Sequence, residues 1–145
     1  MTAEIIGKRR ILVADDELHI GRIIQMKLEQ GPFEVVLAED GEAALEALER
    51  DSGIALVVLD LMMPKLSGLD VLARVRANES TRTLPTVILT AAGEEEQQRN
   101  AMRLGATEFL TKPFSPKKLY TMVAQLLGIP VPPQTTGEQS NLDKG

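Results

Sequence analysis

Two adjacent aspartates, Asp15 and Asp16, follow an apolar run in "ILVADDE" (11–17), and a third, Asp60, closes the run "IALVVLD" (54–60). Thr90 stands near the end of "PTVILTA" (85–91), and Lys112, followed by Pro113, comes directly after "TEFLT" (107–111). Each of these groups sits at the end of a strand-like run, so they act together only if the fold gathers the ends of those runs. Once gathered, the three carboxylates would repel one another, and one lysine does not offset them all. A cation is implied. Oxygen ligands with no cysteine and a single histidine in the chain favour a hard ion such as Mg²⁺, which keeps several waters and leaves room for phosphate oxygens. A carboxylate beside Mg²⁺ and a lysine also suits a phosphoryl acceptor, because the cations neutralise charge on the transferring group. The set points to an aspartyl phosphate.

The elements that must position these groups are legible as alternation. The strand-like runs are "RRILVAD" (9–15), "FEVVLAE" (33–39), 54–60, 85–91 and 107–111, and the middle ones are nearly continuous Val, Ile and Leu. Such runs fit parallel strands covered on both faces. Between them lie segments of helical period. Ile20, Ile23, Ile24 and Leu28 fall on one face, as do Leu119, Met122, Val123, Leu126 and Leu127, and both faces are expected to pack on a sheet. Gly31-Pro32 closes the first helix, Asp40-Gly41 opens the second, Gly105 follows the fourth, and Ser115-Pro116 supplies an N-cap with proline behind it. The alternation predicts right-handed βαβ units in an α/β, doubly wound, five-stranded parallel sheet with helices on both faces. The flavodoxin-like order 2-1-3-4-5 is the usual solution, although other orders are compatible with the sequence alone. In that order the first, third, fourth and fifth strands are neighbours. Asp15, Asp16, Asp60, Thr90 and Lys112 would then converge on one edge, at the carboxyl ends of the strands, where ligand sites of open α/β sheets form.

Composition sets the outer bounds. A chain of 145 residues with 43% hydrophobic and 26% charged residues fits one globular domain with a packed core. The absence of cysteine removes disulfides, thiolate catalysis and cysteine-ligated zinc, and fits the cytoplasm. The start "MTAEIIGKRR" lacks an apolar segment with a cleavage site, and no run approaches the roughly 20 apolar residues that span a bilayer. A soluble, cytoplasmic protein without membrane contact is expected. Net charge is −5 with scattered basic residues, so direct nucleic-acid binding is not expected. After Gly128 the chain reads "IPVPPQTTGEQSNLDKG", without periodicity. The division is therefore an N-terminal extension (1–8), one domain (9–128) and a flexible tail or shortened linker (129–145).

Several residues have plainer readings. His19, the single histidine, is expected on the solvent side of the first helix, and Glu94-Glu95-Glu96 reads as a solvated first helical turn that complements the dipole. Met62 and Met63 read as filler and loop rather than a recognition stripe.

The motifs "ILVADDE", "LVVLDLMMPKLSGLDVL", "VILTA" and "GATEFLTKPF", in this order and spacing, resemble the response-regulator receiver domain of two-component signalling, including the chemotaxis-regulator type. The resemblance covers about residues 9–128. It implies that Asp60 is the phosphoacceptor, loaded by a histidine kinase or a phosphotransfer protein. It implies Mg²⁺ held by Asp15, Asp16, Asp60 and the main-chain carbonyl of Met62, with Asp16 and Asp60 as direct ligands and Asp15 acting through water. Lys112 and Thr90 would stabilise the phosphoryl group, and Lys112–Pro113 would be a cis peptide. Thr90 and Phe109 would form the switch that reshapes the surface of the fourth helix, fifth strand and fifth helix. Phe109 lacks the hydroxyl of a tyrosine at that place, so no switching contact can use one. Met62 and Ala92 would tune phosphate lifetime, and neither offers a charged group to position water. The chain would be a phosphoacceptor switch with Mg²⁺-assisted self-phosphorylation and self-dephosphorylation rather than an enzyme. Its partners would be a downstream effector or an attached output domain, and a homodimer is open.

Competing readings give different expectations. An aspartyl-nucleophile phosphohydrolase of the haloacid-dehalogenase kind wants a second Asp two residues after the nucleophile, where this chain has Met62. A nucleotide or flavin carrier wants a glycine-rich loop after the first strand, where this chain has an Asp pair that would repel phosphate. A degenerate receiver serving only as an interaction module would not need the intact acidic set and Lys112.

Overall fold

The computed structural model describes residues 8–131. Ten elements alternate along the chain: β1 (Arg9–Ala14), α1 (Leu18–Leu28), β2 (Phe33–Ala38), α2 (Gly41–Arg50), β3 (Ile54–Asp60), α3 (Gly68–Ala77), β4 (Thr86–Ala91), α4 (Glu95–Arg103), β5 (Glu108–Lys112) and α5 (Pro116–Leu126). The five strands form one sheet in the order β2-β1-β3-β4-β5, and every pairing is parallel. The expected strand order is the observed one.

Period-two alternation along the strands divides the core between the two faces. Leu12, Ala14, Val57, Leu59 and Ile88 point to the side where Ala44, Ala47, Val71, Leu72 and Val75 of α2 and α3 pack. Ile11, Val13, Leu56, Val58, Val87 and Leu89 point to the other side and meet α1 and α5 through Ile24, Leu28, Leu119 and Val123. Ile129 and Val131, beyond the last helix, also lie against this second cluster. Residues 1–7 and 132–145, which hold most of the expected extension and tail, lie outside the described residues.

The turns follow local chemistry. The Asp40 carboxylate caps α2 by accepting from Ala43 N at 2.8 Å. Ser67 and Asp70 form a reciprocal capping box at α3. The Ser115 hydroxyl accepts from Lys118 N at 3.2 Å, with Pro116 at the helix start.

One expectation fails. Ile23 does not share the buried face of α1; it is 44% exposed, and Gly21, Ile24 and Leu28 form the buried stripe instead. Gly21 has no Cβ, and one built there would stand 3.3 Å from the Leu37 side chain. The helix therefore turns its glycine edge to the sheet, which rotates Ile23 outward. Among the described residues no helix is long and apolar enough to cross a membrane.

Two loops at the carboxyl edge differ in how tightly they are held. After β3 the chain bends back so closely that a Cβ on Gly68 would collide with the carbonyl oxygen of Asp60 and the Cα of Leu61, and Gly68 N donates to Leu61 O at 2.9 Å. After β4, Gly93 takes φ +88° with open space around it.

Candidate functional site

The carboxyl edge gathers the groups that stand at separate points of the sequence. Asp15 follows the last residue of β1, and its backbone N–H donates to Ala38 O at 3.0 Å, which extends the ladder by one rung. Its side chain is turned inward and fully buried. Asp16 is exposed beside it. Asp60 ends β3, is 5% exposed, and accepts from Met62 N at 3.3 Å. One carboxylate oxygen from each of Asp15, Asp16 and Asp60 lies within 4.8 Å of the other two.

Lys112, the last residue of β5, reaches over this cluster. Its Nζ stands 3.2 Å from Asp15 Oδ2, 3.3 Å from Asp60 Oδ2 and 3.0 Å from Glu17 Oε1. The peptide bond that follows, Lys112–Pro113, is cis. Burial by itself would lower the lysine's pKa, but Glu17, Asp60 and Asp15 outweigh it and hold the ammonium above its ordinary value. Asp60 moves the other way for a carboxylate. Burial first, and then the Asp15 charge, push its pKa from 3.8 up to about 7, against the opposing pull of Lys112 and the Met62 N–H. The cluster therefore carries more negative charge than its own lysine neutralises.

The donor set fits a hard divalent cation. Asp15 Oδ2 is buried and accepts no aligned hydrogen bond, despite its closeness to the Lys112 ammonium. A buried carboxylate oxygen that must share one ammonium with two other carboxylates is costly. An ion among Asp15, Asp16 and Asp60 would supply the missing positive charge with oxygen ligands only.

Of the remaining predicted residues, Met62 bonds the cluster through its N–H, and the others stand apart from it. Thr90 is 1% exposed on β4, and its hydroxyl accepts from Gln98 Nε2 at 3.0 Å. Phe109 is on β5 and 38% exposed. Met62, 59% exposed, and Ala92, also exposed, stand at the open rim. His19 is exposed on α1, and Glu95 and Glu96 occupy the first turn of α4. Two participants were absent from the sequence reading: Glu17, whose pKa falls because Lys112 bonds it, and Gln98.

The family comparison is decisive. The model of the response regulator receiver domain matches residues 11–124. The chain belongs to this family. The receiver domain is 39% identical over 119 residues to the phosphate regulon transcriptional regulatory protein PhoB of Escherichia coli, an alignment covering 82% of this chain and 52% of that protein. It thus spans about half the length of that relative. A putative response regulator from Chloroflexus aurantiacus matches with a TM-score of 0.79 at 29% identity, covering 83% of this chain and 98% of that one. The receiver domain of the sensor histidine kinase PA1611 from Pseudomonas aeruginosa matches with a TM-score of 0.76 at 26% identity, over 83% of this chain and 98% of that one. That structure holds a magnesium ion coordinated in its active-site cleft. Receiver domains of two-component systems act generally as phosphorylation-dependent switches, and this chain is one of them by sequence and by fold.

Proposed function

We infer that Asp60 is the phosphoacceptor of this receiver domain. The observation that carries the reading is the charge imbalance: a single ammonium, Lys112 Nζ, lies within 3.3 Å of three carboxylates, Asp15, Glu17 and Asp60, of which Asp15 and Asp60 are buried. An Asp60 oxygen attacks the phosphorus of a phosphohistidine on a histidine kinase or phosphotransfer protein. The new P–O bond forms as the P–N bond breaks, and the electron pair of that bond returns to the ring nitrogen; with its other nitrogen already protonated, the ring leaves as neutral imidazole. Asp15, Asp16, Asp60 and the Met62 main-chain carbonyl would hold Mg²⁺, which when bound offsets the charge of the carboxylates and phosphoryl oxygens. Lys112 exchanges part of its carboxylate contacts for a phosphoryl oxygen, and the Thr90 hydroxyl donates to another. Hydrolysis of the aspartyl phosphate resets the switch, with Met62 and Ala92 at the rim where water would approach.

The output travels through the face formed by α4, β5 and α5, where Phe109 is exposed. It reaches either a separate effector or an output domain attached to the unit at about residues 9–128; residues 129–145 would serve as tail or linker. A cytoplasmic setting without direct nucleic-acid or membrane contact suits this role, and a homodimer through the output face is compatible with it.

The test is intact mass after incubation with acetyl phosphate and Mg²⁺. The expected result is one labile phosphoryl adduct on the wild type that needs Mg²⁺ and is absent from Asp60→Asn. An adduct of equal yield on Asp60→Asn would assign the acceptor elsewhere.

A further inference from the structure

The switch residue Thr90 is already engaged. Its hydroxyl oxygen accepts a hydrogen bond from Gln98 Nε2 at 3.0 Å, and among the described residues this is the bond it makes. The same amide nitrogen stands 3.4 Å from the hydroxyl of Thr111, which is paired with Thr90 across β4 and β5. Gln98 thus spans two neighbouring strands from α4. Thr90 is 1% exposed, so water does not readily replace a partner that it loses.

Gln98 takes a lone pair of this oxygen and leaves the hydroxyl hydrogen free; what competes with a phosphoryl group on Asp60 is the position of the oxygen, which a swing about Cα–Cβ toward Asp60 would carry away from the amide. We propose that the Gln98 amide is a latch that holds the Thr90 hydroxyl in the unphosphorylated arrangement and releases it when Asp60 is modified. Thr111 remains as an acceptor for the freed amide, which keeps the cost of release small enough for the switch to operate. The proposal rests on the reading of Asp60 as phosphoacceptor and adds a positioning residue that sets the switch's resting bias.

Gln98 also connects the site to the output face. With Arg99, Met102, Arg103 and Phe109 it lines a shallow recess of about 520 Å³ between α4 and β5. A ligand in that recess that draws Gln98 away from Thr90 would favour the phosphorylated arrangement. By linkage, phosphorylation would favour that ligand equally.

Beryllofluoride with Mg²⁺, a mimic of the aspartyl phosphate, tests the latch by titration followed with NMR. Gln98→Leu and Gln98→Ala keep a good helix former at a partly exposed position, and thermal unfolding checks each fold. Loss of one neutral hydrogen bond from the resting state alone corresponds to about 2- to 10-fold tighter binding of the mimic. In the ligand-free variants the Thr90 methyl resonance should move toward its mimic-bound position. In a Thr90→Val background the gain should vanish, because the bond is already gone. Unchanged or weaker binding in both Gln98 variants, or an equal gain in the Thr90→Val background, would overturn the latch. Wild-type protein that does not bind beryllofluoride would instead overturn the reading of Asp60 itself, and the latch with it.

Discussion

At the amino end of the sheet, Arg10 and Asp51 close on each other: Arg10 Nε and Nη2 donate to the two carboxylate oxygens at 2.6 and 2.8 Å, and Gly53 N adds a third bond at 2.8 Å. At the carboxyl end, a single ammonium faces Asp15, Glu17 and Asp60 at 3.0 to 3.3 Å, with Asp16 nearby. The amino end also carries a recess of about 500 Å³ lined by Leu45, Leu48, Asp51, Arg74 and Leu84 among others. Its Arg10–Asp51 pair is matched, charge for charge, and partly open to solvent. Beside Asp15 the carboxyl end offers a recess of only about 250 Å³, but it is electrically incomplete, with Asp15 and Asp60 buried. Concavity marks where something fits, whereas unmatched charge under cover marks where something is required. Only the second condition singles out the site.

The sharpest way to break this contrast is Asp60→Asn. Phosphorylation by acetyl phosphate should fall to background, as read by intact mass, while the fold remains. Next in size is Gly68→Ala, whose methyl would strike the Asp60 carbonyl. It should cost about 3 kcal/mol in a denaturant titration, since backbone cannot step aside as a side chain can, and phosphorylation should fall with it.

A third prediction uses pH. Burial and Asp15 raise the pKa of Asp60 from 3.8 to about 7 in the folded protein, so the fold keeps a proton that the unfolded chain has already lost. Stability of the Mg²⁺-free protein should therefore fall as pH rises through that window. Asp60→Asn lacks this loss. Its stability advantage over wild type, measured by denaturation in EDTA, should grow by on the order of 2 kcal/mol from about pH 5 to about pH 8. A flat difference would mean that the carboxyl end is not electrically incomplete. The smallest effect belongs to the amino end. Asp51→Ala breaks a partly exposed pair far from the carboxyl edge, so it should lower the denaturation midpoint modestly and leave the yield of phosphoprotein unchanged. A fall in that yield would join the two ends that the comparison separates.

What the sequence revealed follows from the range of each interaction. Val57, Val58 and Leu59 announce a strand covered on both faces because every neighbour of such a strand is apolar. Asp15, Asp60, Thr90 and Lys112 were legible because strand ends map directly onto one edge once the order is fixed. Glu17 was not, because its bond to Lys112 joins residues 95 apart and its local setting is that of an ordinary acid before a helix. Gln98 sits among "EEEQQRN", a helix start with no apolar signal to distinguish one glutamine from the next. Ile23 faces outward because helical period fixes the width of an apolar stripe but not its rotation, which Gly21 sets through its approach to Leu37.

The two loops flanking the site differ in mechanical compliance. Gly68 wedges the β3–α3 turn against the backbone of Asp60, so the chain beneath that carboxylate has little room to yield, whereas Gly93 leaves the β4–α4 turn unobstructed. A shift started at the carboxyl edge would find room on the α4 side rather than beneath Asp60.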